Sequence, residues 1–327
     1  EVKELWDAGT PYLWAVVEDS KGNLYTATGG DQKSKIVRVN AAGQAATLAE
    51  IDGGEVHALA VNKADEVFAA SMPDGKVYKI TGSGAQVFYD PKAKYIWGLA
   101  FDGAGNLYVA TGDLGEVHRV TPNGQGRVFF KSDEAHARSI VCDRNGDVIV
   151  GTEPGGLVIR VNAAGEGFVL YQSTRREITA LAYNTKGELF VAGAGAKQNA
   201  PSIQPPPMPV QTPPPPGSVV NQAQPTQRIA VAPPSTQLPS NINVPGGSEI
   251  YRLDRDGAPL KIWSHATEVA YAIAFDGNGT PWVGTGNKGG VYRLDTPYLA
   301  TLLTSLSPTQ VTALIPGKGG AVYAATG

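Results

Sequence analysis

Two histidines and a handful of carboxylates are the side chains of this 327-residue sequence best suited to chemistry. His57 and His136, together with Glu55, Glu134 and Glu177, could converge as metal ligands or as an acid/base pair, because imidazole and carboxylate share the tasks of holding a divalent ion and moving a proton near neutral pH. Their spacing follows a repeat and matches no metal or catalytic motif, so no catalytic residue, metal or cofactor is assigned. Cys142 is the only cysteine, and it sits in Ser139-Ile140-Val141-Cys142-Asp143, which reads as an inner strand. A small buried hydrophobe is the expectation there, ahead of a nucleophile. His118 stands in a column shared with Tyr78, Tyr251 and Tyr292 and reads as packing or surface, and His265 carries still less signal. The turns at Asp102-Gly103 and Asp276-Gly277 read as turn formers in preference to calcium loops.

The elements that must position these groups are strands. Gly22-Asn23-Leu24-Tyr25-Thr26-Ala27-Thr28-Gly29 returns as Gly105-Asn106-Leu107-Tyr108-Val109-Ala110-Thr111-Gly112, and more loosely as Gly279-Thr280-Pro281-Trp282-Val283-Gly284-Thr285-Gly286. A short apolar strand precedes each copy, a third strand such as Glu116-Val117-His118-Arg119-Val120 follows, and a fourth such as Arg127-Val128-Phe129-Phe130 completes the unit. First strands begin near Trp14, His57, Trp97, Arg138, Thr179, Tyr271 and Thr312, a period of about 40 residues once one insertion is removed, which is the length of a four-stranded propeller blade. The predicted fold is therefore all-β: a single β-propeller domain over 1–327, with about seven four-stranded blades.

Small residues (Ala58, Gly98, Ser139, Ala180, Ala272) alternate with larger ones (Leu59, Leu99, Ile140, Leu181, Ile273) on the inner strands, as stacked blades require. Tyr25, Phe68, Tyr108, Ile149, Phe190, Trp282 and Tyr323 form a column expected to pack between blades. The basic column Arg38, Lys79, Arg119, Arg160, Arg252 and Arg293 is expected to make a repeated ion pair or hydrogen bond in preference to a phosphate site. One blade is predicted to be split or truncated at the termini, with Val2-Lys3-Glu4-Leu5-Trp6 as its fourth strand, and the chain is expected to be part of a longer protein. Residues 197–247, inside the fifth blade, turn abruptly to proline, glutamine, serine and asparagine, and are expected to be a disordered polyproline-type arm, either a tolerated insertion or a tether that docks a partner.

Loops joining fourth to first strands and second to third strands share one mouth of a propeller's central channel, the default binding site. There the sequence gathers Tyr12, Trp14, Glu55, His57, Tyr95, Trp97, His136, Arg138, Glu177 and Tyr271, with Asp31, Asp74, Asp113 and Glu153 on neighbouring loops. Aromatic faces beside charged groups suit a protein loop or a small polar ligand. With a net charge of -3 and 17% charged residues there is no basic surface for nucleic acid, and no apolar run approaches the roughly 20 residues that cross a bilayer.

The phrases Gly105-Asn106-Leu107-Tyr108-Val109-Ala110-Thr111 and Gly290-Val291-Tyr292-Arg293-Leu294-Asp295 resemble the NHL-repeat, gluconolactonase-like and two-component-regulator propellers of bacteria. The resemblance implies the fold, and its sensor branch implies an extracytoplasmic domain, periplasmic or secreted, that recognises ligands or partners. The lactonase branch implies a divalent metal held by a glutamate, asparagines and an aspartate, where this chain carries Trp14, His57, Trp97, Arg138 and Thr179. The leading expectation is a non-enzymatic recognition propeller; the alternative is a metal-dependent hydrolase or lyase of the gluconolactonase or streptogramin-lyase type.

Overall fold

In a computed structural model, residues 2–29, 33–52, 54–197, 246–255, 257–317 and 320–327 are described. Nearly all of the proline-rich stretch at 197–247, and Asp31, lie outside them. The described residues contain no α-helix and fold into 26 strands.

Each blade is an antiparallel meander in which sequence neighbours pair. Blade 1 is β1 (Tyr12–Glu18), β2 (Leu24–Gly29), β3 (Lys33–Val39) and β4 (Ala45–Asp52). Blade 2 is β5 (Glu55–Val61), β6 (Val67–Met72), β7 (Val77–Thr81) and β8 (Gly84–Tyr89). Blade 3 is β9 (Ile96–Phe101), β10 (Leu107–Thr111), β11 (Glu116–Val120) and β12 (Gly126–Lys131). Blade 4 is β13 (His136–Cys142), β14 (Val148–Glu153), β15 (Leu157–Val161) and β16 (Gly167–Gln172). Blade 5 is β17 (Arg175–Tyr183), β18 (Leu189–Ala196), β19 (Ser248–Leu253) and β20 (Pro259–His265), and blade 6 is β21 (Val269–Phe275), β22 (Pro281–Gly286), β23 (Gly290–Thr296) and β24 (Leu299–Ser305). The last sheet has two strands, β25 (Val311–Pro316) and β26 (Val322–Thr326).

The first strands contact one another in a closed circuit, β1 to β5, β9, β13, β17, β21, β25 and back to β1, so they surround the axis. The tight hairpins that start the second strands of blades 1 to 6 come from one device, an Asp or Asn side chain that accepts from two backbone N–H groups of the turn. Asp102 Oδ1 accepts from the backbone N–H of Ala104 and Asn106, and Asp276 Oδ1 from Asn278 and Thr280. Gly105 and Gly279 then take the left-handed φ of +87° and +79° that the turn needs. These aspartates are turn formers, as expected.

Seven apolar clusters hold the ring, one at each junction between blades. The aromatic column of the second strands supplies them: Tyr25, Phe68, Tyr108, Ile149 and Phe190 are buried, and Phe68 meets Phe101 edge-on across the next junction and Phe88 edge-on within its own blade. The basic column lies opposite it in register, Tyr25 on Arg38, Phe68 on Lys79, Tyr108 on Arg119, Ile149 on Arg160, Phe190 on Arg252 and Trp282 on Arg293. Lys79 bonds Glu66 at 2.6 Å, Arg252 Glu188 at 3.5 Å and Arg293 Asp295 at 2.6 Å. These are part-exposed pairs of small individual weight.

One sequence expectation is corrected. Residues 2–8 form no strand. A fourth strand needs a third to pair with, and β26 is the outermost strand of its sheet among the described residues. Leu5 and Trp6 instead pack against the cluster between the last sheet and blade 1, whose buried members are Val16, Leu24, Val37, Val39 and Ala325.

Phe68 is 2% exposed, so Phe68→Ala should lower stability by about 3 to 5 kcal/mol. Chemical denaturation followed by far-UV circular dichroism measures this, and a loss below about 1 kcal/mol would show that the junctions are not what holds the ring.

Candidate channel-mouth site

All seven first strands carry a β-bulge at the same place. Their registers skip one residue each, between Leu13 and Ala15, Val56 and Ala58, Ile96 and Gly98, Ala137 and Ser139, Ile178 and Ala180, Ala270 and Ala272, and Val311 and Ala313. The extra residues are Trp14, His57, Trp97, Arg138, Thr179, Tyr271 and Thr312. A bulge breaks the two-residue alternation and re-aims one side chain. Here it leaves the small-large packing pattern on either side intact, and released side chains such as Trp14, His57 and Arg138 reach along the ring to neighbouring blades.

The ring can be followed by contact. Tyr12 stacks on Trp14 at 4.8 Å between centroids, and Trp14 on His57 at 4.2 Å. Trp97 stands edge-on to His57 at 6.4 Å and stacks with Tyr95 at 5.5 Å. The Arg138 guanidinium lies over Trp97, 4.2 Å from its centroid, and donates through Nε to Glu177 at 2.5 Å. Tyr271 lies close enough to Glu177 and Arg138 to feel both charges, and burial first, with Glu177 second and Arg138 opposing, raises its pKa. Blade 5 and the last sheet contribute threonines whose hydroxyls are spent on latches: Thr179 donates to the Ala270 carbonyl at 2.6 Å, and Thr312 donates to that of Leu13. The ring is thus aromatic and basic over blades 1 to 4, with threonine latches and Tyr271 opposite.

Glycine makes room for the rings. A Cβ on Gly29 would stand 2.1 Å from Trp14 Nε1, on Gly112 2.6 Å from Trp97 Nε1 and 2.7 Å from His136 Nδ1, and on Gly286 2.4 Å from the Tyr271 ring. Gly29 and Gly286 end their second strands and Gly112 directly follows β10, so the Thr-Gly close of the repeat is what admits a large aromatic at the bulge.

The two histidines do not converge. Trp97 stands between them, 6.4 Å from His57 and 5.8 Å from His136. His136 Nδ1 accepts from Trp97 Nε1 at 3.2 Å, which assigns its proton to Nε2. Glu134 accepts from the Gly155 N–H, and Glu177 holds Arg138. The loops do share one mouth: Gly115 N–H donates to the Ala135 carbonyl at 3.0 Å and Ser132 N–H to that of Gly115 at 3.1 Å. Among the flanking acids, Asp74 bonds Ser71 and Lys76, Glu153 bonds Arg176 at 3.1 Å, and the Asp113 N–H faces His136. Among the described residues no three His, Cys, Asp or Glu side chains gather closely enough to hold a metal ion.

His57 and Glu55 form a close imidazole-carboxylate pair at the mouth, 2.8 Å between Nε2 and Oε2. Burial lowers the His57 pKa from its usual 6.5, Glu55 pulls it back up, and the Arg138 charge pushes it down. The neutral ring carries its proton toward Glu55 and keeps Nδ1 as an acceptor. His118 is buried, with Nδ1 2.8 Å from Tyr89 Oη and Nε2 3.3 Å from Glu116, as a packing role requires.

No protein-family model matches the chain, and no curated protein matches it. Solved structures do. A catalytically inactive variant of virginiamycin B lyase from Staphylococcus aureus with quinupristin superposes with a TM-score of 0.72 at 11% identity, covering 96% of this chain and 92% of that one. A streptogramin B lyase gives 0.67 at 12%, covering 97% and 91%. The extracellular domain of a putative hybrid two-component system from B. thetaiotaomicron gives 0.64 at 12%, covering 98% of this chain and 37% of that one. The likeness is one of fold. These lyase and two-component propellers are of the bacterial kinds that the repeat phrases resemble.

In an NMR titration the His57 ring should protonate below pH 6.5 in the native protein; Arg138→Ala should raise that midpoint and Glu55→Gln lower it further. The unfolded chain then takes up the proton more readily, so the stability contributed by neutral His57 is present above about 6.5 and falls as the pH drops from there to the lower folded value. A native midpoint at or above 6.5 would contradict the burial assigned here. Burial also pushes the Cys142 thiol up to about 12. A thiol reagent at pH 8 should therefore label the native protein far more slowly than the unfolded chain, and equal rates would restore the nucleophile reading.

Proposed function

We propose that this chain is a recognition propeller that binds a protein loop or a small polar ligand at the channel mouth, without catalysis, in an extracytoplasmic setting. The observation that carries the reading is the continuous wall built on the bulges of blades 1 to 4, Tyr12, Trp14, His57, Trp97 and Arg138, with Glu177 and Tyr271 beyond it. Such a wall offers an apolar face with hydrogen-bonding groups at its rim, so a ligand desolvates on one side while its polar atoms fix its orientation. Tyr95 and His136 back Trp97 and hold its plane, and Glu55 does the same for His57. The likeness in fold to the extracellular domain of a two-component system supports this setting. The proline-rich arm at 197–247 is proposed as an accessory tether.

A second reading rests on His57. A neutral imidazole, oriented by a carboxylate at 2.8 Å and with an unprotonated nitrogen, is the arrangement a general base needs. The fold is shared with lyases, which makes lyase or hydrolase chemistry the alternative.

The test is a panel of monosaccharides, amino acids, dicarboxylates and short peptides, followed by tryptophan fluorescence and thermal shift, with product analysis by mass spectrometry. A saturable ligand, unchanged after incubation, whose affinity drops about tenfold or more in Trp97→Ala and in Arg138→Ala, is the expected result. Turnover abolished in His57→Ala would replace it with the enzymatic reading.

A further inference from the structure

Most polar groups of the mouth are already engaged within the chain. The Trp97 indole donates to His136, His57 bonds Glu55, and the Thr179 and Thr312 hydroxyls latch neighbouring blades. The Arg138–Glu177 pair is different. It bridges blades 4 and 5 through a single hydrogen bond, Nε to Oε1 at 2.5 Å, and about three-quarters of each side chain is buried, with 26% and 25% exposed. Among the described residues no other hydrogen bond engages either group, so Arg138 keeps both Nη atoms and Glu177 keeps Oε2. Tyr271, on blade 6, is close enough to feel both charges, and its hydroxyl makes no hydrogen bond among the described residues. None of these atoms is sealed from solvent. Trp97, beneath the guanidinium at 4.2 Å, fixes its plane, so the cation is held in place before any ligand arrives.

Resting on the recognition reading above, we infer that the ligand of the mouth is a free α-amino acid bound as its zwitterion, its carboxylate on the Arg138 Nη atoms and the Tyr271 hydroxyl and its ammonium on Glu177 Oε2. The choice among charge types follows from the pair itself. A simple anion drawn to Arg138 would meet the Glu177 carboxylate beside it, and a simple cation drawn to Glu177 would meet the guanidinium, so attraction and repulsion largely offset. A molecule with both charges on one small frame places each against its opposite, and the four groups then alternate in sign. Partial burial strengthens those charge-assisted bonds relative to the same contacts in water. An α-amino acid is the smallest such frame, and its side chain is left to lie along the aromatic wall at Trp97. A sugar lacks both charges, and a residue inside a protein loop has neither the free ammonium nor the free carboxylate.

The probes are L-leucine and L-phenylalanine, each beside its amide, which keeps only the ammonium, and its N-acetyl form, which keeps only the carboxylate. They are titrated into the intact chain by calorimetry at pH 7, with glucose as an uncharged probe. Saturable binding of at least one free amino acid is expected, with its amide and N-acetyl form each weaker by about tenfold or more. These comparisons leave the protein untouched and so do not depend on how a variant folds. Arg138→Gln should bring the free amino acid down to the affinity of its amide, Glu177→Gln to that of its N-acetyl form, and Tyr271→Phe should weaken it about threefold. Equal affinity for the three forms, or no binding of either amino acid at millimolar concentration, would overturn the proposal. Glucose binding that is lost in Trp97→Ala would also overturn it while leaving the recognition reading intact. Free amino acid bound with the expected selectivity but consumed, as read by mass spectrometry, would keep the ligand assignment and overturn the absence of catalysis.

Discussion

Each blade of this propeller has two apolar faces and nowhere to bury them except against its neighbours. This constraint explains the small-large alternation of the first strands, the bulky column of the second strands, and the absence of one central core. The burial that would fill the middle of an ordinary domain is distributed over seven junctions arranged in a circle. A buried side chain of the size of Phe68 or Ile149 contributes about 1.5 to 3 kcal/mol, so each junction rests on a few such residues and the ring on their sum. Ring closure carries the same logic to its end: Ala325 and the flanking Leu5 and Trp6 complete the seventh junction although the last sheet is half the width of the others.

Because the junctions take up the apolar side chains, the axis is left to residues that packing does not claim. The bulge on every first strand is what delivers them. One extra residue per strand turns Trp14, His57, Trp97 and Arg138 out of the junctions without disturbing the pairs on either side, such as Ala58 with Ala70 or Gly98 with Ala110. Stability and the chemistry presented at the ring are therefore carried by different residues of the same short strand. The Arg138–Glu177 pair illustrates the coupling that remains: it bridges blades 4 and 5 while orienting the cation over Trp97.

The blade count, the order of strands and the aromatic column were legible in the sequence because each blade repeats the same burial problem and solves it with the same phrase. The mouth residues were legible as a neighbourhood, since loop positions follow from the repeat. What escaped the sequence was the bulge: a one-residue skip leaves no mark in composition, and Trp14 or Thr312 look like ordinary strand openings. Nor could the sequence place Trp97 between His57 and His136, because that separation depends on ring curvature. The Thr-Gly close at Gly29, Gly112 and Gly286 is the one local sign that an aromatic lies above it. The expected strand at 2–6 failed for the opposite reason: its alternation suits a strand, but pairing needs a partner that the sheet does not provide.

The constant position of the bulge has a consequence for how such a molecule diversifies. Seven side chains occupy equivalent backbone sites, each on a different blade and each separated from the junction residues by the skip in register. Mutation at one of them alters the chemistry facing the axis while leaving the blade's own folding problem unchanged. The ring is in effect a seven-letter word written on a fixed line, here Trp-His-Trp-Arg-Thr-Tyr-Thr, and duplication of a blade copies the line without dictating the letter. Propellers of this kind can keep their architecture while sequence identity falls to the low levels at which this chain meets its structural neighbours.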